Sequence, residues 1–213
     1  GDICVVEADE SDGSIEKYTP YVAVVNNITI DHKEIDELKK LFGDFVQKAT
    51  GGAVINADCA NSQCLKQCNP HIKTFSVKSR QAEFYAYNIK PLPQGISYEL
   101  DGKTFTLPII GTFNVANAMA AIAACSYLGV DKFEAAKILQ EFIGTKRRLD
   151  VIGTVNNITV IDDFAHNPDK VLASMQALRD YNGRLLIMFQ PHGFAPMRMM
   201  GKQIMESFAK TMQ

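Results

Sequence analysis

The sequence predicts an α/β protein built on a mainly parallel sheet, with a small antiparallel segment inside it and a second, shorter α/β unit after it. Three observations carry that expectation. Apolar runs of strand length alternate with segments of helical period, the pattern of parallel strands joined by helices. Asp101-Gly102 separates two runs of alternating residues, which signals a hairpin. Gly144-Thr145-Lys146-Arg147-Arg148 is polar and has no apolar period, so it divides the chain into residues 1–143 and 144–213.

Taken in order, Ile3-Cys4-Val5-Val6 and Tyr21-Val22-Ala23-Val24-Val25 read as buried strands, followed by a helix over 33–48 with apolar residues at Ile35, Leu38, Leu41, Phe42 and Phe45. Gly51-Gly52 ends it. Ala53-Val54-Ile55-Asn56 is the next strand, then a helix bearing Cys64 and Cys68 on one face, then a short strand at Thr74-Val77. From Glu83 to Leu107 the pattern turns to short alternating segments around the Asp-Gly turn. Helices follow over 114–128 and 131–142, with Asp131 as a cap. A strand-helix-strand unit then begins near Asp150, takes in Ile158-Thr159-Val160-Ile161 and reaches Arg184-Leu185-Leu186-Ile187-Met188-Phe189. The first residues already read as a strand and the last, Met205 to Met212, as a helix, so the sequence reads as part of a longer chain.

Composition narrows the function. An apolar content of 46% with 22% charged residues is that of a globular protein, and a formal net charge of -2 offers no basic field for nucleic acid or an anionic membrane. No apolar run reaches about 18 residues, and the start lacks a basic segment followed by an apolar core, so a cytoplasmic protein without a membrane partner is expected. Five cysteines at scattered positions fit reduced thiols better than a disulfide framework. Cys59, Cys64 and Cys68 cluster, with His71 near enough for a zinc site to be imagined, but no C-x-x-C knuckle supports it.

Five segments carry chemistry. Asp162-Asp163-Phe164-Ala165-His166-Asn167-Pro168 places two carboxylates and an imidazole directly after an apolar strand; it reads as a ligand loop or as a polar turn whose Asp or Asn caps a helix. Glu7-Ala8-Asp9-Glu10-Ser11-Asp12 packs four carboxylates together, which suits magnesium with bound phosphates or a solvated capping loop. Asn27-Ile28-Thr29-Ile30-Asp31-His32 adds an imidazole at the next strand end. Asn114 and Asn117, three apart at a helix start, suit the edge of a purine or simple capping, and Arg147-Arg148 suit phosphate or a solvated surface.

In order and approximate spacing, these segments together with Phe189-Gln190-Pro191-His192 resemble the Mur ligases, the ATP-dependent enzymes that build the peptide stem of peptidoglycan. The acidic segment and Gln190-Pro191-His192 look most like the branch that joins L-alanine to UDP-N-acetylmuramate, or its relative that places a preformed tripeptide on the same nucleotide sugar. The resemblance implies the later part of a central ATPase domain up to residue 143, then the first part of a Rossmann-like carboxy-terminal domain. No G-x-x-x-x-G-K-[ST] occurs in these residues, so the phosphate cradle is expected upstream and this stretch alone is not expected to catalyse.

The same resemblance implies ATP and magnesium as cofactors, and a UDP-N-acetylmuramate-type substrate with an amino acid or peptide acceptor as partners. It implies Glu7 and His32 as magnesium ligands and Asn114 and Asn117 at adenine. Arg148 and Asp163 would contact nucleotide, and His166 and His192 would lie near the incoming amine. Three positions depart from the family. Phe113 stands where a His is frequent, and Gly193 and Pro196 stand where the L-alanine branch carries arginines, leaving Arg198 of that cluster. Loss of guanidinium groups weakens carboxylate recognition.

Overall fold

The computed structural model describes residues 2–30, 33–92, 95–191 and 193–211. The chain divides into two units, one of residues 1–87 with 116–136 and one of 88–115 with 137–213.

The first unit is a run of parallel strands. β1 (Val22–Val25), β2 (Gly52–Asn56), β3 (Ile72–Ser76) and the start of β4 (Phe84–Leu92) pair in that order, with Val22 opposite Gly52, Ala53 opposite Ile72 and Phe75 opposite Phe84. α1 (Ile35–Gln47) makes the first crossover, and its period does what the sequence requires: Leu38, Phe45 and Val46 are buried, with Leu41 and Phe42 packed beside them. They close on Ile15, Ala23, Val25, Ile28, Ala53, Ile55 and Leu65. Buried Asn69 backs the end of α1, its side-chain amide donating to the carbonyls of Val46 (3.0 Å) and Ala49 (2.8 Å).

Two expectations fail in this unit. Ile3–Val6 lies outside regular structure and Val5 is 94% exposed: among the described residues the run pairs with no strand, and apolar composition alone does not supply a ladder. The segment with the cysteines is a 3-10 helix, Ala60–Gln67, not an α-helix. Cys68 follows its last residue, and Cys64 and Cys68 both pack against the same core. The Cys64 thiol donates to the Asn61 carbonyl at 3.2 Å and Cys59 Sγ accepts the Ile28 N–H at 3.4 Å. Among the described residues no three His, Cys, Asp or Glu side chains gather as a metal would require.

In the second unit, the rest of β4 leads to the hairpin of β5 (Gly95–Leu100) and β6 (Lys103–Leu107), paired antiparallel with Leu100 opposite Lys103. Asp101 and Gly102 both have positive φ, 46° and 78°, as a type I′ turn demands. Tyr98 is buried and stacked on Phe105 at 5.9 Å, yet its hydroxyl finds no partner among the described residues, and burial pushes the phenol up to about 12. Tyr98→Phe is therefore expected to raise stability by about 1 kcal/mol, read as a higher melting temperature, since an unpaired buried hydroxyl costs about 1–3 kcal/mol.

α2 (Thr112–Ser126) and α3 (Lys132–Leu139) each cross the division between units, and Asp131 caps α3 by accepting the N–H groups of Phe133 (2.9 Å) and Glu134 (3.2 Å). Where one strand was expected to open the unit after Asp150, an antiparallel ribbon of β7 (Asp150–Val155) and β8 (Ile158–Asp162) stands, turned at Asn156 and Asn157 with φ of 51° and 59°. α4 (Pro168–Arg179) packs on α5 (Phe194–Thr211) through Val171, Met175 and Ile204. The run Arg184–Phe189 takes no strand pairing, and Met188 is 99% exposed. Among the described residues no helix is long and apolar enough to cross a membrane.

Candidate functional site

In the first unit the acidic segment divides its labour. Asp9 Oδ1 accepts the backbone N–H and hydroxyl of Ser11, at 2.8 and 2.7 Å, and Asp12 Oδ1 accepts the N–H of Ser14 at 2.7 Å. That backbone hydrogen bond holds the Asp12 carboxyl below its ordinary range. These two aspartates shape the entry to the 3-10 turn Ser14–Lys17, whose N-cap is Gly13 in left-handed conformation. Glu7 is exposed in a stretch without regular structure. His32, its expected partner on magnesium, lies outside the described residues, as does His192. Magnesium accepts one or two carboxylates and completes its shell with water and phosphate oxygens, so the Glu7 carboxylate fits as one ligand of such a set.

The two asparagines have different surroundings. Asn114 is not the cap of α2 but lies in its first turn, and its amide donates back to the Ile110 carbonyl at 2.7 Å. Asn117 is exposed on α2 within the first unit, where its Oδ1 accepts from Asn26 Nδ2 at 3.3 Å. In the second unit Phe113 packs with Ile110, Leu149, Ala177 and Tyr181, which gives a physical reason for an apolar ring at that position.

Also in the second unit, the linker and the Asp162–Pro168 loop form one cluster. Arg147 and Leu149 hold left-handed backbone, φ 61° and 48°, a conformation that costs a non-glycine residue about 1 kcal/mol or more. Burial of Leu149 and the acceptance of its N–H by Asp163 Oδ2 at 2.8 Å offset that cost. Asp163 Oδ1 accepts from the Ala165 N–H and the Ser174 hydroxyl, both at 2.9 Å. Its carboxylate thus ties linker, loop and α4 together, and any contact with nucleotide would use its remaining lone pairs.

The Phe164 N–H donates to the Arg147 carbonyl at 2.9 Å, and its ring lies under both guanidinium groups, 4.7 Å from Arg147 and 5.9 Å from Arg148. Arg147 also approaches Asp162 at 3.7 Å across an exposed contact of small energetic weight. His166 stands edge-on to Phe164 with centroids 5.2 Å apart, its Nδ1 2.9 Å from the Phe164 carbonyl and its Nε2 3.4 Å from Lys170 Nζ. Asn167 caps α4 by accepting the Lys170 N–H at 2.9 Å, with Pro168 opening the helix. Sequence reasoning missed Lys170. The available signal was a lysine four residues after His166, in a first helical turn where a cation opposes the helix dipole.

Gly193 has φ +84°, so a side chain there would be strained, and Pro196 sits in the first turn of α5 with its Cδ 3.7 Å from where a Cβ at 193 would stand.

Residues 1–125 match the Mur ligase middle domain, and residues 147–212 match the Mur ligase glutamate ligase domain. A UDP-N-acetylmuramate--L-alanine ligase of Desulforamulus reducens is 37% identical over 227 residues, covering 98% of this chain and 48% of the relative. One of Dictyoglomus turgidum is 33% identical over 221 residues with the same coverage. The structure of a UDP-N-acetylmuramate-alanine ligase of Thermotoga maritima superposes with a TM-score of 0.71 over 92% of this chain and 50% of that one; at 23% identity it speaks for the fold. The chain belongs to the Mur ligase family. It spans about half the length of the curated relatives it matches.

Proposed function

We propose that the full-length protein is a cytoplasmic ATP-dependent ligase that joins an amine to the carboxylate of a UDP-N-acetylmuramate-type substrate in peptidoglycan synthesis or recycling. Residues 1–143 contribute to its central ATP-binding domain, and residues 144–213 begin its carboxy-terminal domain. What supports the reading above all is the succession of the two family domains along one chain, on an α/β fold with the Asp162–Pro168 loop and the paired arginines in one cluster.

In the proposed course the sugar-linked carboxylate attacks the γ-phosphate of ATP to give an acyl phosphate, and the acceptor amine then displaces phosphate to form the amide. Both steps build negative charge on oxygen, which cationic side chains stabilise. Glu7 and His32 would hold magnesium, which offsets phosphate charge. Asn114 and Asn117 would meet adenine, Arg148 and Asp163 the nucleotide, and His166 and His192 the incoming amine.

The acceptor is the point at which this chain departs. With Gly193 and Pro196 in place of two arginines, free L-alanine is expected to be a poor acceptor and a stem peptide a better one, because a lost charge-assisted pair costs about 1.5–3 kcal/mol and a larger acceptor spreads its recognition. A competition assay with UDP-N-acetylmuramate, ATP, magnesium and a panel of amino acids and stem peptides, reading phosphate release and amide product, tests both points. Selective, efficient use of free L-alanine would refute the acceptor assignment, and no amide with any acceptor would refute the ligase reading.

A further inference from the structure

The geometry points to Lys170 as a positioning residue that fixes the neutral His166 ring in the tautomer with its proton on Nδ1 and its lone pair on Nε2. The assignment follows from what each neighbour can do. The Phe164 carbonyl, 2.9 Å from Nδ1, can only accept, so Nδ1 must donate. The Lys170 ammonium, 3.4 Å from Nε2, can only donate, so Nε2 must accept. The ring has little freedom to escape this choice. The edge of Phe164 meets it at 61°, and Phe164 is itself held by the Arg147 carbonyl and guanidinium.

Helix stability does not explain a lysine at this place. Asn167 already caps α4 and Asp169 already complements its dipole, whereas a cation in the first turn opposes it. The position does explain the pairing: His166 precedes the cap, Lys170 is four residues on, and the helix brings the two side chains to one side of the loop.

The catalytic consequence rests on the ligase reading. If His166 lies at the incoming amine, Nε2 is the atom that can take the proton the amine loses as it attacks; it has one lone pair, so the Lys170 N–H must leave it as the amine arrives, and until then Lys170 holds the ring in the tautomer that can act as base. Lys170 touches the imidazole and not the reacting atoms.

The test is a long-range proton–nitrogen correlation spectrum of the full-length protein labelled with 15N-histidine, recorded at mildly alkaline pH, with the His166 signals identified by their loss in His166→Gln. A pyrrole-type Nδ1 and a pyridine-type Nε2 are expected. Lys170→Met should move the ring toward a mixture of tautomers, and Lys170→Arg should restore the single one. In turnover, Lys170→Met should lower kcat by roughly tenfold with KM for ATP unchanged, a part of the about 100-fold or more that a general base contributes. A wild-type ring protonated on Nε2 overturns the assignment whether or not the variants fold, and so does a Lys170→Met spectrum identical to wild type. Absence of ligase activity in the wild type would overturn the functional reading and leave the tautomer result standing.

Discussion

Glu7→Ala in the full-length protein is expected to lower turnover by on the order of 100-fold or more, since charge stabilisation through a bound metal is worth several kcal/mol. Stability should change by no more than about 0.5 kcal/mol. Glu7 is exposed in a stretch without regular structure, so its carboxylate has no packing to lose. Part of the lost rate should return at raised magnesium, because removing one ligand weakens a site without abolishing the phosphate oxygens that share the ion. Initial rates over a magnesium series, beside a thermal melt, decide the matter. Wild-type turnover in the variant would refute the role given to Glu7.

The largest effect on stability is expected from Gly52→Ala. Gly52 opens β2 with φ +145°, and a Cβ there would stand 2.5 Å from both the His71 carbonyl and the Tyr127 ring. The His71 oxygen is backbone of the adjoining chain, and the Tyr127 hydroxyl is anchored on the carbonyls of Ala53 (3.1 Å) and His71 (2.8 Å), so neither can yield cheaply. Overpacking of about 1–3 kcal/mol adds to a backbone strain of about 1–3 kcal/mol. Gly102→Ala provides the comparison: φ is +78° but the space is open, so only the backbone part is expected. Melting curves of the two variants should separate clearly. Equal shifts would show that the cost at Gly52 is conformational and not steric.

The parts of the fold that sequence made legible are those whose signals are local. The period of α1, the Asp101-Gly102 turn and the Asp131 cap each depend on residues a few positions apart, and each is found as expected. The misreadings share the opposite property. Ile3–Val6 and Arg184–Phe189 have strand composition, but a strand also needs a partner, and nothing within a run of four to six residues specifies one. Asn156-Asn157 turns β7 back on β8, a hairpin the sequence reading did not single out, because asparagine tolerates left-handed backbone and was not taken as a turn signal.

The site was legible to the same degree. Residue types in the Asp162–Pro168 loop announced chemistry, but not that Asp163 would hold Leu149 and Ser174, nor that Lys170 would face His166. Those pairings arise from the way the loop folds onto the start of α4, which no spacing in the sequence records.

Lys146, Arg147 and Arg148 form a basic triplet of the sort that trypsin-like proteases cut, and their side chains are exposed. A protease must draw its substrate into an extended strand across its active site. To extend here, the chain would have to release the Arg148 N–H from the Thr145 carbonyl, the Leu149 N–H from Asp163 and the Phe164 N–H from the Arg147 carbonyl, and pull Leu149 out of its apolar seat. The triplet is therefore sheltered by its shape while its charges stay in water, and cleavage there would report local opening of the unit and not mere access to the surface.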